Sequence, residues 1–248
     1  MRKTNIRAVI GVLALGLVLA ASAAWGQTPT VDEIVAKNLA ARGGLDKLRG
    51  LQTMKMTGTI NVQGMDMPLT VMTKRPNLLF QEMTMQGQRM VSAFDGAKVW
   101  AINPMLGPGP RELTGAQADM IRDQASFDGP LVNYKDRGDT LEMAGSADVG
   151  GAKAWKLKLT RKIGGRSMFI YVDADTGLEK QWSATVDQGG MTIDVDTVML
   201  DYQPTPEGIL VPRSMRTLVG GQQQGLLKVL TVEYNVPIED AAFQMPAK

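Results

Sequence analysis

Met54-Lys-Met-Thr-Gly-Thr-Ile-Asn-Val-Gln-Gly-Met-Asp-Met-Pro-Leu-Thr-Val-Met72 shows most clearly how this chain folds. Met54, Met56 and Ile60 stand at even spacing, and a lysine, threonines and an asparagine occupy the positions between them. Alternation with a period of two is typical of a β-strand that has one apolar face and one polar face. A Gln-Gly pair at 63–64 interrupts the alternation with turn residues. The stretch therefore predicts two β-strands joined by a short turn.

The same alternation continues almost to the C-terminus. Its interruptions are turn sequences, such as Asp-Gly at 95–96, Asp-Thr-Gly at 175–177 and Gly-Gly at 220–221. Short connections between successive strands favour an antiparallel meander. The predicted strands are 52–63, 66–74, 78–85, 89–94, 98–103, 139–144, 152–161, 167–173, 178–186, 191–202, 209–218 and 226–234.

Three short helices are predicted beside these strands, at 31–42, 45–51 and 114–124. The strands present far more apolar surface than three short helices can cover, so the sheet must curve around its own apolar face. The sequence predicts a mainly β protein with a single, strongly curved antiparallel sheet, a half-barrel whose concave face is closed by a few short helices. A concave and partly hollow apolar interior follows from that arrangement.

The first residues have the pattern of a secretory leader. Arg2, Lys3 and Arg7 precede an apolar run that ends in small residues, with cleavage sites after Ala23 and after Gly26. We expect a signal peptide at 1–26, a half-barrel domain at 27–248 and a periplasmic protein. The alternative is an uncleaved membrane anchor, although the run is shorter than the roughly 20 apolar residues that a span requires.

Composition excludes several classes of function. The chain has no cysteine and no histidine, which removes the usual zinc ligands and the Ser/His and Cys/His nucleophilic sites. Three of the 27 basic residues lie in the leader, so 24 remain against 25 acidic residues, a balance that does not favour nucleic-acid binding. We expect no enzymatic activity, no metal and no cofactor, while an enzyme that depends on Asp or Glu stays open as an alternative.

The methionines have three interpretations: a Cu(I) site, a packed core or the lining of an adaptable cavity. Three Met-x-Met pairs begin at Met54, Met65 and Met83, and thioethers are soft ligands that select Cu(I). Copper sites commonly add histidine or cysteine, which this chain lacks, so core packing and cavity lining are favoured. Methionine is unbranched and polarizable, and it therefore suits a surface that accepts ligands of variable shape.

Two acidic motifs have simpler explanations than catalysis or metal binding. The run from Asp173 to Gly177 imitates the start of a calcium loop, but the twelfth position is alanine, so a turn between strands is favoured. Asp194 and Asp196 occupy the polar face of a strand. Their expected partners are lysines of a neighbouring strand, at 156 and 158.

The stretch Phe94-Asp-Gly-Ala-Lys-Val-Trp-Ala-Ile-Asn-Pro104 resembles the LolA/LolB-like family of outer-membrane lipoprotein-sorting proteins. Members of that family often carry an Asp-Gly hairpin, a tryptophan four residues after the glycine and an Asn-Pro exit. The resemblance extends over nearly the whole chain after the leader. Further motifs that carry it lie at 43–48, 171–178, 208–212 and 240–246.

The resemblance implies a curved half-barrel whose apolar hollow shelters the acyl chains of a lipoprotein on its way through the periplasm. It implies an inner-membrane donor protein and an outer-membrane acceptor protein. It also implies an arginine near the lid of the cavity, but none of Arg75, Arg89 and Arg111 aligns with that arginine. We therefore expect a monomeric, non-enzymatic carrier of acyl chains. The alternatives are a carrier or sensor of another hydrophobic ligand on the same fold, and a Met-based Cu(I)-binding protein.

Strand register decides which side chains line the hollow, because a slip of one residue exchanges the two faces. The residues predicted to line it are Met54, Met56, Ile60, Met67, Leu69, Met83, Met85, Met90, Trp100, Trp155, Leu157 and Phe169.

Overall fold

The computed structural model describes residues 28–188 and 191–247, and the predicted signal peptide at 1–26 lies outside this part of the chain. The helices are α1 (Val31–Ala41), α2 (Leu45–Gly50) and α3 (Gly115–Gln124). The strands are β1 (Thr53–Val62), β2 (Met65–Lys74), β3 (Leu78–Met85), β4 (Gln88–Phe94), β5 (Val99–Ile102), β6 (Pro110–Leu113), β7 (Thr140–Val149), β8 (Ala152–Thr160), β9 (Ser167–Asp173), β10 (Glu179–Gln188), β11 (Met191–Pro204), β12 (Leu210–Val219) and β13 (Gln222–Tyr234).

All of these strands belong to one antiparallel sheet. Its order is β6-β5-β4-β3-β2-β1-β13-β12-β11-β10-β9-β8-β7, so every neighbouring pair except β1 and β13 is consecutive in the chain. Strands β6 and β7 are the two edges, and within the described residues the sheet does not close into a barrel. The predicted fold class, a mainly β half-barrel with a few short helices, is confirmed.

The register brings the apolar residues of neighbouring strands onto one face, which we call the inner face. Met56 of β1 lies opposite Val71 of β2 on one side and opposite Val232 of β13 on the other. Residues directly opposite each other in an antiparallel pair point to the same side of the sheet. The inner face is therefore continuous across the middle of the sheet.

The helices cover this inner face in three places. Ile34 and Val35 of α1 pack against a cluster from β8 and β9 that includes Leu157. Leu48 of α2 joins a cluster with residues of β13, and Ala118 of α3 joins one with residues of β2 to β5. In the described part of the chain, no helix combines the length and the hydropathy that crossing a membrane requires.

Local sequence explains where α1 lies. Thr30 and Glu33 form a capping box, in which the Thr30 hydroxyl accepts from the Glu33 amide at 3.2 Å and Glu33 Oε2 accepts from the Thr30 amide at 2.7 Å. Asn38, which is buried, donates from Nδ2 to the Gly177 carbonyl at 2.9 Å. This bond ties the helix to the turn between β9 and β10.

A second apolar cluster lies on the opposite, outer face of the sheet. The C-terminal segment, with a short 3-10 helix at Asp240–Phe243, crosses β3 to β5 on this side. Phe243 is completely buried there, and Trp100 Nε1 donates to its carbonyl at 2.8 Å. The C-terminus thus shields apolar residues that the helices do not reach.

Two differences from the predicted strands have physical explanations. The short edge strand β6 (Pro110–Leu113) was not predicted, because it follows a run rich in proline and glycine and forms ladder bonds only with β5. Strand β7 continues to Val149, beyond the predicted end at 144. An irregularity between Met143 and Ser146, with Gly145 at a φ of 102°, interrupts its alternation.

Gly58 of β1 should tolerate no side chain. A Cβ at this position would lie 2.5 Å from the Lys228 carbonyl oxygen of β13, a backbone atom that cannot rotate away. We expect Gly58→Ala to lower the free energy of unfolding by about 1–3 kcal/mol, as overpacking does in protein interiors. Denaturant titration measures this value.

Gly225→Ala is the matched control for that prediction. Gly225 is also a buried strand glycine, but a Cβ there would meet its nearest neighbour, the Asn61 carbonyl oxygen, at an ordinary 3.7 Å. Equal losses of stability in the two variants would contradict the steric explanation.

Candidate functional site: an apolar cavity under the helices

A cavity of about 400 Å³ lies between the inner face and the segments that cover it, and we call it the inner cavity. Strands β1 to β3, β10, β12 and β13 contribute its sheet side, and α2 and the segment after α3 contribute its cover. Its lining is mainly apolar and includes Leu48, Met54, Met56, Met215, Leu227 and Val229. A volume of this size is within the range of natural small-molecule sites.

A second cavity of about 430 Å³ adjoins the first, and we call it the side cavity. It lies between α3 and the strands β9 and β10, with Met120, Met168 and Val186 among its apolar lining. Gln124 and Trp182 contribute to the lining of both cavities. The two spaces are therefore neighbours that share part of their wall.

Helix α3 is held over the sheet by ion pairs as well as by apolar packing. Arg166, the residue before β9, donates from Nε and Nη2 to Asp123 Oδ2 at 3.0 and 2.6 Å. Its Nη1 lies 3.3 Å from Asp119 Oδ2. Arg166 and Asp123 also line the side cavity, so these pairs form one of its edges.

Arg75, which follows β2, connects two parts of the cavity cover. Its guanidinium pairs with both oxygens of Asp128 and donates to the backbone carbonyls of Leu48 and Leu51, at 3.0 and 2.5 Å. The same group lies 4.7 Å from the centre of the Phe127 ring. Arg75 thereby joins α2 to the segment that follows α3.

A buried carboxyl group, that of Glu179, lies behind the part of the inner-cavity wall that Trp182 forms. Glu179 is only 3% exposed, and Trp182 Nε1 donates to its Oε2 at 2.5 Å. Burial raises the pKa of Glu179, although the positive charge of Arg42 and the hydrogen bond from Trp182 oppose that shift. Tyr202 donates from its hydroxyl to the Glu179 carbonyl at 2.9 Å, and burial raises the pKa of that hydroxyl as well. Polar groups thus support the wall that carries Trp182.

Solved structures of other proteins share this architecture. A LolA superfamily protein from Nitrosomonas europaea is 12% identical, with a TM-score of 0.58 over 88% of this chain and 98% of its own. A domain from Vibrio parahaemolyticus, named as a proposed outer membrane lipoprotein-sorting protein, is 10% identical, with a TM-score of 0.56 over 85% and 94%. A DUF1329 family protein from Desulfovibrio piger is 14% identical, with a TM-score of 0.59 over 88% and 98%.

This chain has the LolA-like fold. The resemblance seen in the sequence motifs is thus confirmed at the level of the fold. No protein-family model and no curated protein matches the sequence.

The LolA-like fold places only some of the predicted residues at the inner cavity. Met54, Met56 and Leu69 contribute to its lining. Trp155 and Leu157 also point to the inner face, but they pack with the α1 cluster, where Leu157 is completely buried. For these five residues, a role in ligand binding stays a prediction. Five others follow the inner-face alternation but are not part of the lining of either cavity: Ile60, Met67, Met83, Met85 and Met90.

The prediction is wrong for Trp100 and Phe169, which lie on the outer face. Trp100 is opposite Ala93 in the ladder, and it packs with Phe80 and Phe243 beneath the C-terminal segment. Phe169 is opposite Lys158, and its ring lies 4.0 Å from Lys156 Nζ. Aromatic character suggested an interior position for both, but the register of their strands turns them away from the cavity.

Sequence reasoning missed several lining residues that the LolA-like fold brings together. Val229 and Tyr234 belong to β13, which pairs with β1 across the longest chain separation in the sheet. Phe127 lies in the segment after α3, where no periodic pattern exists. Alternation within 226–234 could have identified the β13 residues, whereas nothing in the local sequence identifies Phe127 or Arg42.

The acidic motifs have structural roles. Asp173 Oδ1 accepts from the amides of Asp175 and Thr176 at 3.0 and 2.8 Å, which is the geometry of a turn between β9 and β10. Asp194 and Asp196 accept from hydroxyls of the adjacent strand β10, at 2.9 and 2.5 Å. Their expected pairing with lysines on a neighbouring strand is wrong, because β9 and β10 separate β8 from β11. Among the described residues, no group of three or more Asp or Glu side chains is arranged to hold a metal ion.

Proposed function

We propose that this protein is a periplasmic, non-enzymatic carrier that holds acyl chains in the inner cavity. The observation that carries the proposal is an apolar space of about 400 Å³ that remains between the inner face and the helices that cover part of it. Each CH₂ group that moves from water into such a space contributes about 0.8 kcal/mol. Binding of this kind needs no catalytic residue.

The composition of the lining supports reversible binding of flexible chains. Met54, Met56 and Met215 contribute unbranched, polarizable side chains to the cavity, and such side chains adapt to ligands of different shape. Trp182, Phe127 and Tyr234 are its aromatic residues. A lining of this type favours acyl chains over a rigid ligand that demands one fixed shape.

Sorting of outer-membrane lipoproteins is the narrower form of this proposal. It is supported by the LolA-like fold and by the name of the Vibrio parahaemolyticus domain. In this form the cargo is the acylated end of a lipoprotein, received from an inner-membrane donor and passed to an outer-membrane acceptor. A lipoprotein that copurifies with this protein from the periplasm would support it.

Filling the inner cavity tests the proposal. Leu227 lines the cavity, so we expect Leu227→Trp to occupy the space of part of an acyl chain. Loss of the burial of about two CH₂ groups weakens acyl-chain binding by roughly tenfold. Native mass spectrometry of protein purified from the periplasm should show lipid-sized adducts on the wild type and fewer on the variant.

Leu230→Trp is the matched control, because Leu230 belongs to the same strand and its side chain is 65% exposed. Wild-type protein without lipid-sized adducts, or an equal loss in both variants, would contradict the proposal. A mass increment of copper in place of lipid would instead support the Cu(I) alternative.

A further inference from the structure

The inner cavity contains an arginine whose side-chain hydrogen-bond donors are not used by the described part of the protein. Arg42, the residue that ends α1, contributes to the lining. The carboxylate that faces it is Glu179, whose Oε1 lies 3.6 Å from Arg42 Nη1, a separation longer than a hydrogen bond. Among the described residues, the Arg42 guanidinium donates no hydrogen bond, although an arginine side chain carries five N–H groups.

Arg75, a second arginine near the cavity, is an example of a guanidinium whose hydrogen-bond donors are occupied by the protein. Arg75 pairs with both oxygens of Asp128 and donates to two backbone carbonyls. Its hydrogen-bonding capacity is largely used within the protein. Arg42 therefore differs from Arg75 in having donors that remain available to a ligand.

Tyr234 is a second available donor in the same lining. Its hydroxyl makes no hydrogen bond with any described residue, and it contributes to the inner cavity. Burial raises the pKa of Tyr234, and the positive charge of Arg42 opposes this shift, as does that of Arg213, while Glu207 adds to it. Arg42 and Tyr234 line the same cavity, so both donors face the space that a ligand would occupy.

Glu179 leaves donors of the Arg42 guanidinium unused. Its Oε1 is an ion-pair partner at 3.6 Å, beyond hydrogen-bond distance, and its Oε2 accepts from Trp182 Nε1 at 2.5 Å. A guanidinium in an apolar cavity is costly to bury unless its N–H groups find acceptors. A ligand with a negatively charged oxygen group would supply those acceptors.

We infer that the inner cavity takes a free fatty acid, whose chain lies against the apolar lining and whose carboxylate is bound by Arg42 and Tyr234. A guanidinium binds a carboxylate through two parallel, charge-assisted hydrogen bonds. The inference rests on the broader form of the proposed function, carriage of acyl chains, and it names chains that end in a free carboxylate as the cargo in place of the acylated end of a lipoprotein. An ester-linked or neutral chain has no charge to match Arg42.

Two probes of equal chain length test the inference: palmitate and hexadecan-1-ol, titrated into purified, delipidated protein by isothermal calorimetry. The wild type should bind palmitate more tightly than the alcohol. Arg42→Met should weaken palmitate binding by roughly 10-fold to 100-fold, the loss of a charge-assisted pair, and leave alcohol binding unchanged. Arg42→Lys should recover part of the loss, and Tyr234→Phe should weaken palmitate binding by a few-fold.

Control variants separate recognition from folding. Arg216→Met removes an exposed arginine of β12, on the outer face, and should leave both affinities unchanged. If Arg42→Met does not fold because Glu179 loses its partner, the double variant with Glu179→Gln removes both charges and gives the same test. Equal binding of the two probes, with no effect of Arg42→Met, would overturn the inference and leave the carrier proposal intact. Binding of neither probe would overturn both.

Discussion

Arg75→Met is expected to lower the free energy of unfolding by about 3–5 kcal/mol, the cost of removing one partner from a mostly buried ion pair. The variant would leave the Asp128 carboxylate, whose side chain is 13% exposed, without its cation. It would also leave the Leu48 and Leu51 carbonyls without the donors they have now. Since these partners belong to α2 and to the segment after α3, the cavity cover should loosen as the protein loses stability.

Chemical denaturation of the variant measures this loss, and hydrogen exchange at the α2 amides reports on the cover. Arg89→Met is the matched control, because Arg89 pairs with Glu82 on the surface, where its side chain is 51% exposed. Such exposed pairs contribute about 0–1 kcal/mol. Combining Arg75→Met with Asp128→Asn should cost less than the sum of the two separate changes. Equal losses for Arg75→Met and Arg89→Met would contradict the assigned role.

Phe243→Ala is expected to lower the free energy of unfolding by about 3–5 kcal/mol, the range for removing a buried aromatic ring. Phe243 is completely buried on the outer face, against Trp100 and Phe80. Its ring attaches the C-terminal segment to β3–β5, and its carbonyl accepts the Trp100 indole N–H. The change would therefore leave a cavity and weaken the cover of the outer cluster.

Phe169→Ala makes the same chemical change elsewhere on the outer face, where the ring is only partly buried beside Lys156. We expect it to cost less than half as much, as judged by denaturant titration of both variants. If Phe243→Ala unfolded at the same denaturant concentration as the wild type, the C-terminal segment would not be an integral part of the fold.

The strands were predictable because their signal is local. Alternation in residues 53–62 and 65–74 is visible without knowledge of any partner, and the turns between strands consist of residues that favour turns. Edge strand β6 was missed because a four-residue segment beginning with proline carries no such pattern. Its place in the sheet comes from pairing with β5.

The candidate site was predictable only in part. Met54, Met56 and Leu69 line the inner cavity because their strands continue the alternation of the opening stretch. Trp100 and Phe169 do not, since size and apolarity alone do not reveal which side of the sheet a residue occupies. Arg42 and Phe127 were not found, because Arg42 is a charged residue at the end of α1 and Phe127 lies in a segment without a periodic pattern.

The amino-acid sequence by itself determined most of the strands, their antiparallel order and the presence of one apolar face that has to be covered. These features follow from a period of two and from turn residues, which act over a few neighbouring positions. Only the tertiary structure decided which part of that face stays uncovered as a cavity. The reason is that the cover consists of α1, α2, α3 and the segment after α3, whose positions depend on contacts between residues far apart in the chain, such as Arg75 with Asp128.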